Sequence, residues 1–341
     1  MSESIDRRQF LKIAGLGGNQ AVHWRAMRAY FIESGPSGTR LDLREIPRPE
    51  ASQGKVLVRV RAAGLNRGEF IAGHGVVKPG APRPAGNEAA GEVEGSGERV
   101  MGRASGAFAE YALMEAREAI PIPPQLSFEE AAAIPLTFMV VHDMLVEQGN
   151  LKAGEWLLVT GVSSGVGVAA LQAAKALGAK VIGTSGSSKK LEALKKHGLD
   201  AAIQTRQADF SKKILELTDG KGANLVVNAV GGSVFAECIR ALAFEGRLAI
   251  VGYVDGQVTS GIDLDAVHAK RLRIFVVSNK LRNAEQRAST VRGFVADFLP
   301  HFASGRIKPL VDKVFEFDAL PSAKAYMESD AHVGKIVITG P

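Results

Sequence analysis

The chain has 341 residues, 46% hydrophobic and 23% charged, with a net charge of +6, a composition that suits about two globular domains. Its one cysteine, Cys238, excludes an internal disulfide, a four-cysteine zinc site and a Cys/His/Cys catalytic zinc site. No apolar run approaches the roughly 20 residues that cross a bilayer, and the basic residues lack the aromatic interleaving of a nucleic-acid surface.

The first segment, "DRRQFLKIAGLGG" (6–18), looks like a twin-arginine export motif, but its apolar stretch is short and "NQAVHWRAMR" follows it. The expectation is a degenerate leader over 1–25 on a cytoplasmic protein, with a periplasmic destination as the alternative. "MRAYFIE" (27–33), "LDLREIP" (41–47) and "KVLVRVRAAGL" (55–65) alternate apolar and polar residues between Gly and Pro, as half-buried antiparallel strands do. "GEVEGSGERVMG" (91–102) and "GAFAEYALME" (106–115) continue the pattern, which predicts a β-rich, partly closed barrel. The spacing turns helical over 123–147, where Ser127 followed by Glu129 and Glu130 marks a helix start.

From about residue 154 short apolar strands alternate with helices: "WLLVTG", "VGVAALQAAKALG", "AKVIGTS", "SSKKLEALKKHG", "AAIQT", "SKKILELTDG", "NLVVNAV", "VFAECIRALAFEG", "RLAIVGY" and "LRIFVVS". That order predicts a doubly wound parallel sheet covered on both faces. A long helix is expected over about 284–304, and the strand-like "VGKIVITG" is free to rejoin the first part. The expected division is a leader-like extension at 1–25, a β-rich catalytic domain from 26–126 and 276–341, and a dinucleotide-binding domain over 127–275.

The most informative stretch is 157–185, where a buried strand leads through Gly161-x-x-x-Gly165-x-Gly167 directly into a helix. Glycine at 165 lets the backbone approach a pyrophosphate, glycine at 167 allows close helix-to-strand packing, and the free amides supply an anion site. An NAD-preferring site usually carries an acid at the end of the next strand. Here Thr184, Ser185, Gly186, Ser187, Ser188, Lys189 and Lys190 stand there, with Arg206 after the third strand. Hydroxyls and cations suit a 2′-phosphate, so the predicted coenzyme is NADPH.

"AAGLNRGEF" (62–70), "GNEAAGEV" (86–93), "SFEEAAAIPL" (127–136), "GVSSGVG" (161–167), "NAVGG" (228–232), "GRLAIVG" (246–252) and "GKIVI" (334–338) occur in this order. From about residue 26 onward the chain therefore resembles the zinc-independent quinone oxidoreductase branch of the medium-chain dehydrogenase/reductase superfamily. The resemblance implies a Rossmann domain, a GroES-like catalytic domain made of both ends of the chain, and an active site in the cleft between them. It further implies a homodimer joined through the last Rossmann strand, and hydride transfer to a small quinone or α,β-unsaturated carbonyl. The family's motif amides map to Ser164, Gly165, Val166 and Gly167, its phosphate-binding lysine to Lys190 and its cleft asparagine to Asn66; Thr137, Thr184, Ser187, Arg206, Val230, Gly231 and Gly252 are further candidate coenzyme contacts.

In the zinc alcohol dehydrogenases of the superfamily a metal-binding histidine follows the first glycine of Gly86-x-Glu88-x-x-Gly91; here that residue is Asn87, a poor zinc ligand, so no metal site is expected. Other departures are Thr205 in place of a coenzyme-contacting tyrosine, Val140-Val141-His142 in place of Thr-Ala-Tyr, and Glu69 in place of an Asp. Without a metal, polarisation of the acceptor falls to hydrogen-bond donors. Asn66 is the candidate donor, against a plain turn-forming role. His142 is the candidate acid, against an ordinary helix histidine, and His74 is weaker. Glu88 is expected to bond the scaffold and Cys238 to be a core thiol. Two alternatives stay open: an NADP-dependent alcohol dehydrogenase of altered chemistry, and a binding protein that holds NADPH without turning it over.

Overall fold

The computed structural model describes residues 25–35, 38–70, 80–279 and 281–341; the twin-arginine-like segment and His74 lie outside them. The alternating segments form strands because one face of each meets a covered apolar surface. β1 (Ala26–Gly35), β2 (Gly38–Pro47), β3 (Lys55–Gly64), β4 (Gly80–Pro84), β5 (Glu88–Val93), β6 (Arg99–Arg103), β7 (Tyr111–Glu115) and β8 (Ile120–Pro121) come first, with the single-turn helix α1 (Arg67–Phe70) after β3. β1 pairs antiparallel with β2 and β4 in a small sheet. In β3, Leu57, Val58, Val60, Ala62 and Ala63 are buried while Lys55, Arg59 and Arg61 are exposed, the expected period of two slipping at Leu57–Val58 and again at its buried end.

The helical pattern over 123–147 breaks into α2 (Phe128–Ala132), α3 (Pro135–His142) and a π-turn over Asp143–Glu147. Ser127 and Glu130 close the predicted start as a capping box. Pro135 lacks an N–H and so opens a new helix instead of continuing the old one.

β9 (Trp156–Val159), α4 (Gly165–Ala176), β10 (Lys180–Ser185), α5 (Ser188–Lys195), β11 (Ala201–Gln204), α6 (Ser211–Leu217), β12 (Ala223–Asn228), α7 (Phe235–Ala241), β13 (Leu242–Ile250), α8 (Leu264–Ala269) and β14 (Arg273–Val276) then alternate. All five pairings are parallel, and the spatial order is β11-β10-β9-β12-β13-β14. Numbered from β9 this is 3-2-1-4-5-6, the doubly wound Rossmann order, with its crevice where β9 meets β12. α7 ends five residues earlier than its helical pattern suggests, because Leu242 already pairs with Ala223.

The tail predicted as one helix is two, α9 (Ala284–Asp297) and α10 (Leu299–Ala303), broken ahead of Pro300, which cannot continue the backbone ladder. β15 (Val311–Phe315), α11 (Leu320–Glu328) and β16 (Lys335–Thr339) complete the chain. β16 lies antiparallel to β3 and parallel to β15, so both ends of the chain build one seven-stranded GroES-like sheet. This sheet does not close into a barrel: β15 and β8 remain its edges. One apolar core runs through α2 and α3, joining Ala62, Ala90 and Met101 of that sheet to Leu157 and Val159 of the parallel one. Among the described residues no helix is long and apolar enough to cross a membrane.

Candidate active site

The phosphate-loop residues come together at the carboxyl ends of β9 and β10. Ser164 caps α4, its hydroxyl accepting from Gly167 N at 3.1 Å. A Cβ at Gly167 would lie 2.6 Å from Gly161 O and 2.7 Å from the Val162 backbone, so the turn can close only around glycine. Thr184, buried at the end of β10, receives Gly161 N on its hydroxyl at 3.3 Å. Val166 and Gly165 open the helix beside it, presenting first-turn amides that no backbone carbonyl of the helix can use.

Val230 and Gly231, after β12, and Gly252, after β13, border the same crevice. The Val230 side chain sits 3.6 Å from where a Gly161 Cβ would be. Asn228 ties this bend together, its Oδ1 receiving Val230 N and Gly231 N at 3.1 and 3.0 Å and its Nδ2 donating to Gly231 O at 2.9 Å. That buried asparagine escaped the sequence reading, although a polar residue closing an apolar strand is a visible sign.

At the end of β10, Ser187 caps α5 by accepting from Lys190 N at 3.3 Å. The Arg206 guanidinium lies across Gly186, where any side chain at 186 would stand. Lys190 points to the far lobe: its Nζ donates to the carbonyls of Asp330 and His332, the latter at 2.8 Å. Burial lowers the Lys190 pKa most, against the raising effect of Asp330 and Asp312. Arg67 holds the same turn through Met327 O at 3.0 Å and through the Asp330 carboxylate. Lys190 and Arg206 thus put two cations beside the strand end that carries no acid.

The candidate donor Asn66 belongs to a cluster. Asn66 Nδ2 donates to Glu88 Oε1 at 2.8 Å, and Lys335 Nζ donates to Glu88 Oε1 at 2.7 Å, Asn66 Oδ1 at 3.0 Å and Leu65 O at 2.8 Å. Glu88, fully buried, takes Leu136 N on its other oxygen at 2.8 Å, in the first turn of α3. Glu88 therefore bonds the scaffold, and its charge sits favourably at a helix start. Thr137 follows, buried in that same turn. Among the described residues no group of three or more His, Cys, Asp or Glu assembles to hold a metal.

His142 does not join this cluster. It is 1% exposed, packed edge-on against Phe298 with ring centres 5.2 Å apart, and its Nε2 lies 2.7 Å from Asp297 Oδ2 of α9. Its helix position is one where 3.6-residue periodicity turns the ring to α9, and its Nδ1 faces Glu147 Oε1 at 3.7 Å. Cys238 is likewise buried, and burial pushes its thiol pKa up, out of reach of ordinary nucleophilic chemistry.

Glu69 lies just below the cluster, 1% exposed, with Oε1 accepting from Gly86 N and Oε2 without a partner among the described residues. Burial outweighs the Gly86 bond and the Arg83 charge and raises its pKa to about 7 from 4.5. The folded chain then holds a proton that the unfolded chain releases above pH 4.5. Stability from this group is present below that pH and is lost as pH rises through about 7. Relative to Glu69→Gln, the wild-type protein should lose about 3 kcal/mol across that window. Urea unfolding of both proteins at several pH values checks this; parallel pH profiles would refute it.

Two family models match the chain: an alcohol dehydrogenase GroES-like domain over residues 52–124 and a zinc-binding dehydrogenase over 165–291. A quinone oxidoreductase-like protein 2 homolog from Nematostella vectensis is 30% identical over 299 residues, covering 83% of this chain and 81% of that protein. A phenolphthiocerol/phthiocerol polyketide synthase from Mycobacterium tuberculosis is 33% identical over 312 residues, 88% of this chain but only 14% of that much longer protein. Among solved structures, mycobacterial Rv1454c complexed with NADPH superposes with a TM-score of 0.82 at 26% identity, covering 92% of this chain and 99% of that one.

Proposed function

The chain belongs to the medium-chain dehydrogenase/reductase superfamily and is an oxidoreductase, and from that premise we propose that it reduces a quinone or an α,β-unsaturated carbonyl with NADPH and without a bound metal. The observation that carries the reading is the glycine-lined turn at the crevice of a 3-2-1-4-5-6 sheet, beside a strand end that offers Lys190 and Arg206 and no carboxylate. The residues fit the coenzyme. The amides of Gly165, Val166 and Gly167 suit its pyrophosphate, and Lys190 has one ammonium proton beyond the two given to carbonyls.

When bound, the coenzyme supplies the hydride; the chain's own part is to orient and to polarise. Asn66, half-buried beside Glu88 and Lys335, is the residue we assign to the acceptor oxygen, stabilising negative charge as it develops there. The metal-free part of the reading departs from the zinc-binding description of one matching family. It rests on the chain's donors: Asn87 replaces a histidine ligand and the single cysteine is buried in α7. We also assign the open edge of β14, where Ile274 and Val276 are exposed, to pairing with a second copy.

The test is NADPH oxidation by the purified protein with a panel of quinones and enones, with and without a chelator. Turnover that survives chelation supports the reading. Activity abolished by the chelator and restored by zinc would overturn its metal-free part, and NADPH binding with no oxidation by any acceptor would favour a binding protein.

A further inference from the structure

A lysine on a core strand demands an explanation, because an apolar residue would suit β16 and burying an ammonium costs several kcal/mol before any partner is found. Lys335 is followed by the core residues Ile336, Val337 and Ile338, and its side chain is only 7% exposed. Its three acceptors, Leu65 O, Asn66 Oδ1 and Glu88 Oε1, match the three protons of the ammonium.

That arrangement fixes the Asn66 carboxamide one way round. The oxygen must face Lys335 and the nitrogen must face Glu88, since the flipped amide would set N–H against an ammonium and oxygen against a carboxylate. Glu88 takes one of the two Nδ2 protons. Among the described residues the other has only Gly64 O at 3.5 Å, the outer limit of a hydrogen bond. Asn66 is half-buried while Lys335 and Glu88 are closed off, so this N–H is the one donor of the cluster that a ligand can claim.

We propose that Lys335 is a positioning residue: its ammonium on Asn66 Oδ1 both seats the carboxamide and strengthens the remaining N–H as a donor to the acceptor oxygen. A cation at an amide oxygen draws density from the nitrogen, and hydrogen bonds in such a chain reinforce one another. The lysine also sets the donor against the coenzyme site. Its stem lies 3.2 Å from where a Cβ on Gly165 would be, and the preceding Gly334 N donates to Ser163 O at 3.1 Å.

The proposal rests on the reductase reading above, so it is tested with two readouts. In steady-state kinetics Lys335→Met should lower kcat by about 10–100-fold, less than outright loss of a donor, with NADPH affinity and acceptor KM changed little. Lys335→Arg should restore much of that loss. Asn66→Ala combined with Lys335→Met should be no slower than Asn66→Ala alone, because the lysine acts through the amide. Losses that multiply, or NADPH affinity falling in step with kcat, would overturn it. Because Lys335→Met leaves Glu88 without its cation, Glu88→Gln/Lys335→Met is made alongside it, to be compared with Glu88→Gln.

The second readout needs no turnover. The Asn66 side-chain nitrogen resonance should move on Lys335→Met and hold on Lys324→Met, which removes the pair with Glu328 on α11. An unmoved resonance overturns the proposal. A moved resonance in a protein that fails to oxidise NADPH with any quinone or enone sustains the positioning and sinks the reductase reading instead.

Discussion

Glu88→Ala is expected to lower the free energy of unfolding by about 3–5 kcal/mol, the range for breaking a buried ion pair from one side. Among the described residues the carboxylate is the only anion bonded to the Lys335 ammonium. It also holds Asn66 Nδ2 and Leu136 N, so three donors lose an acceptor that is itself fully buried. The contact spans β5, the loop after β3, β16 and α3, elements drawn from three distant parts of the chain. Cooperativity should therefore fall along with stability. Glu88→Gln keeps an acceptor for Leu136 N and should cost less. Urea unfolding monitored by tryptophan fluorescence and by circular dichroism measures both; a loss below about 1 kcal/mol for the alanine variant would mean that water or a neighbouring group takes the carboxylate's place.

Lys190→Ala should weaken NADPH binding by about 1.5–3 kcal/mol, roughly 10–150-fold, the worth of a charge-assisted hydrogen bond to a phosphate. NADH should suffer far less, and the difference between the two is the quantity that matters. Lys190 also tethers the turn at Asp330 and His332 to the dinucleotide-binding lobe, so some loss common to both coenzymes is expected from the tether alone. Calorimetric titration with NADPH and NADH separates the two. Equal losses would assign Lys190 to the tether and leave Arg206, folded across Gly186, as the cation for the 2′-phosphate.

Much of the fold was legible because its signals are local. The strand-turn-helix at 156–176 announces itself through the glycines that its turn requires, and Ser127 with Glu130 announces the start of α2. The breaks at Pro135 and Pro300 are also written in the chain, but the apolar periodicity runs straight through them and masks them. His142 shows the opposite limit. Its helix is plain from the spacing, yet nothing nearby says that Phe298 and Asp297, over 150 residues away, take up its ring.

By itself the sequence determined the alternation of strands and helices, the phosphate turn, the absence of an acid after β10 and the lack of a second cysteine, since each depends on residue type and short-range spacing. Only the tertiary structure decided that Lys335, an ordinary-looking lysine ahead of an apolar strand, closes on Asn66 and Glu88, and that Glu69 is sealed off with one bare oxygen. Buried charges are tolerated only where distant partners meet them, and which partners meet is settled when the carboxy-terminal strand lies down beside β3.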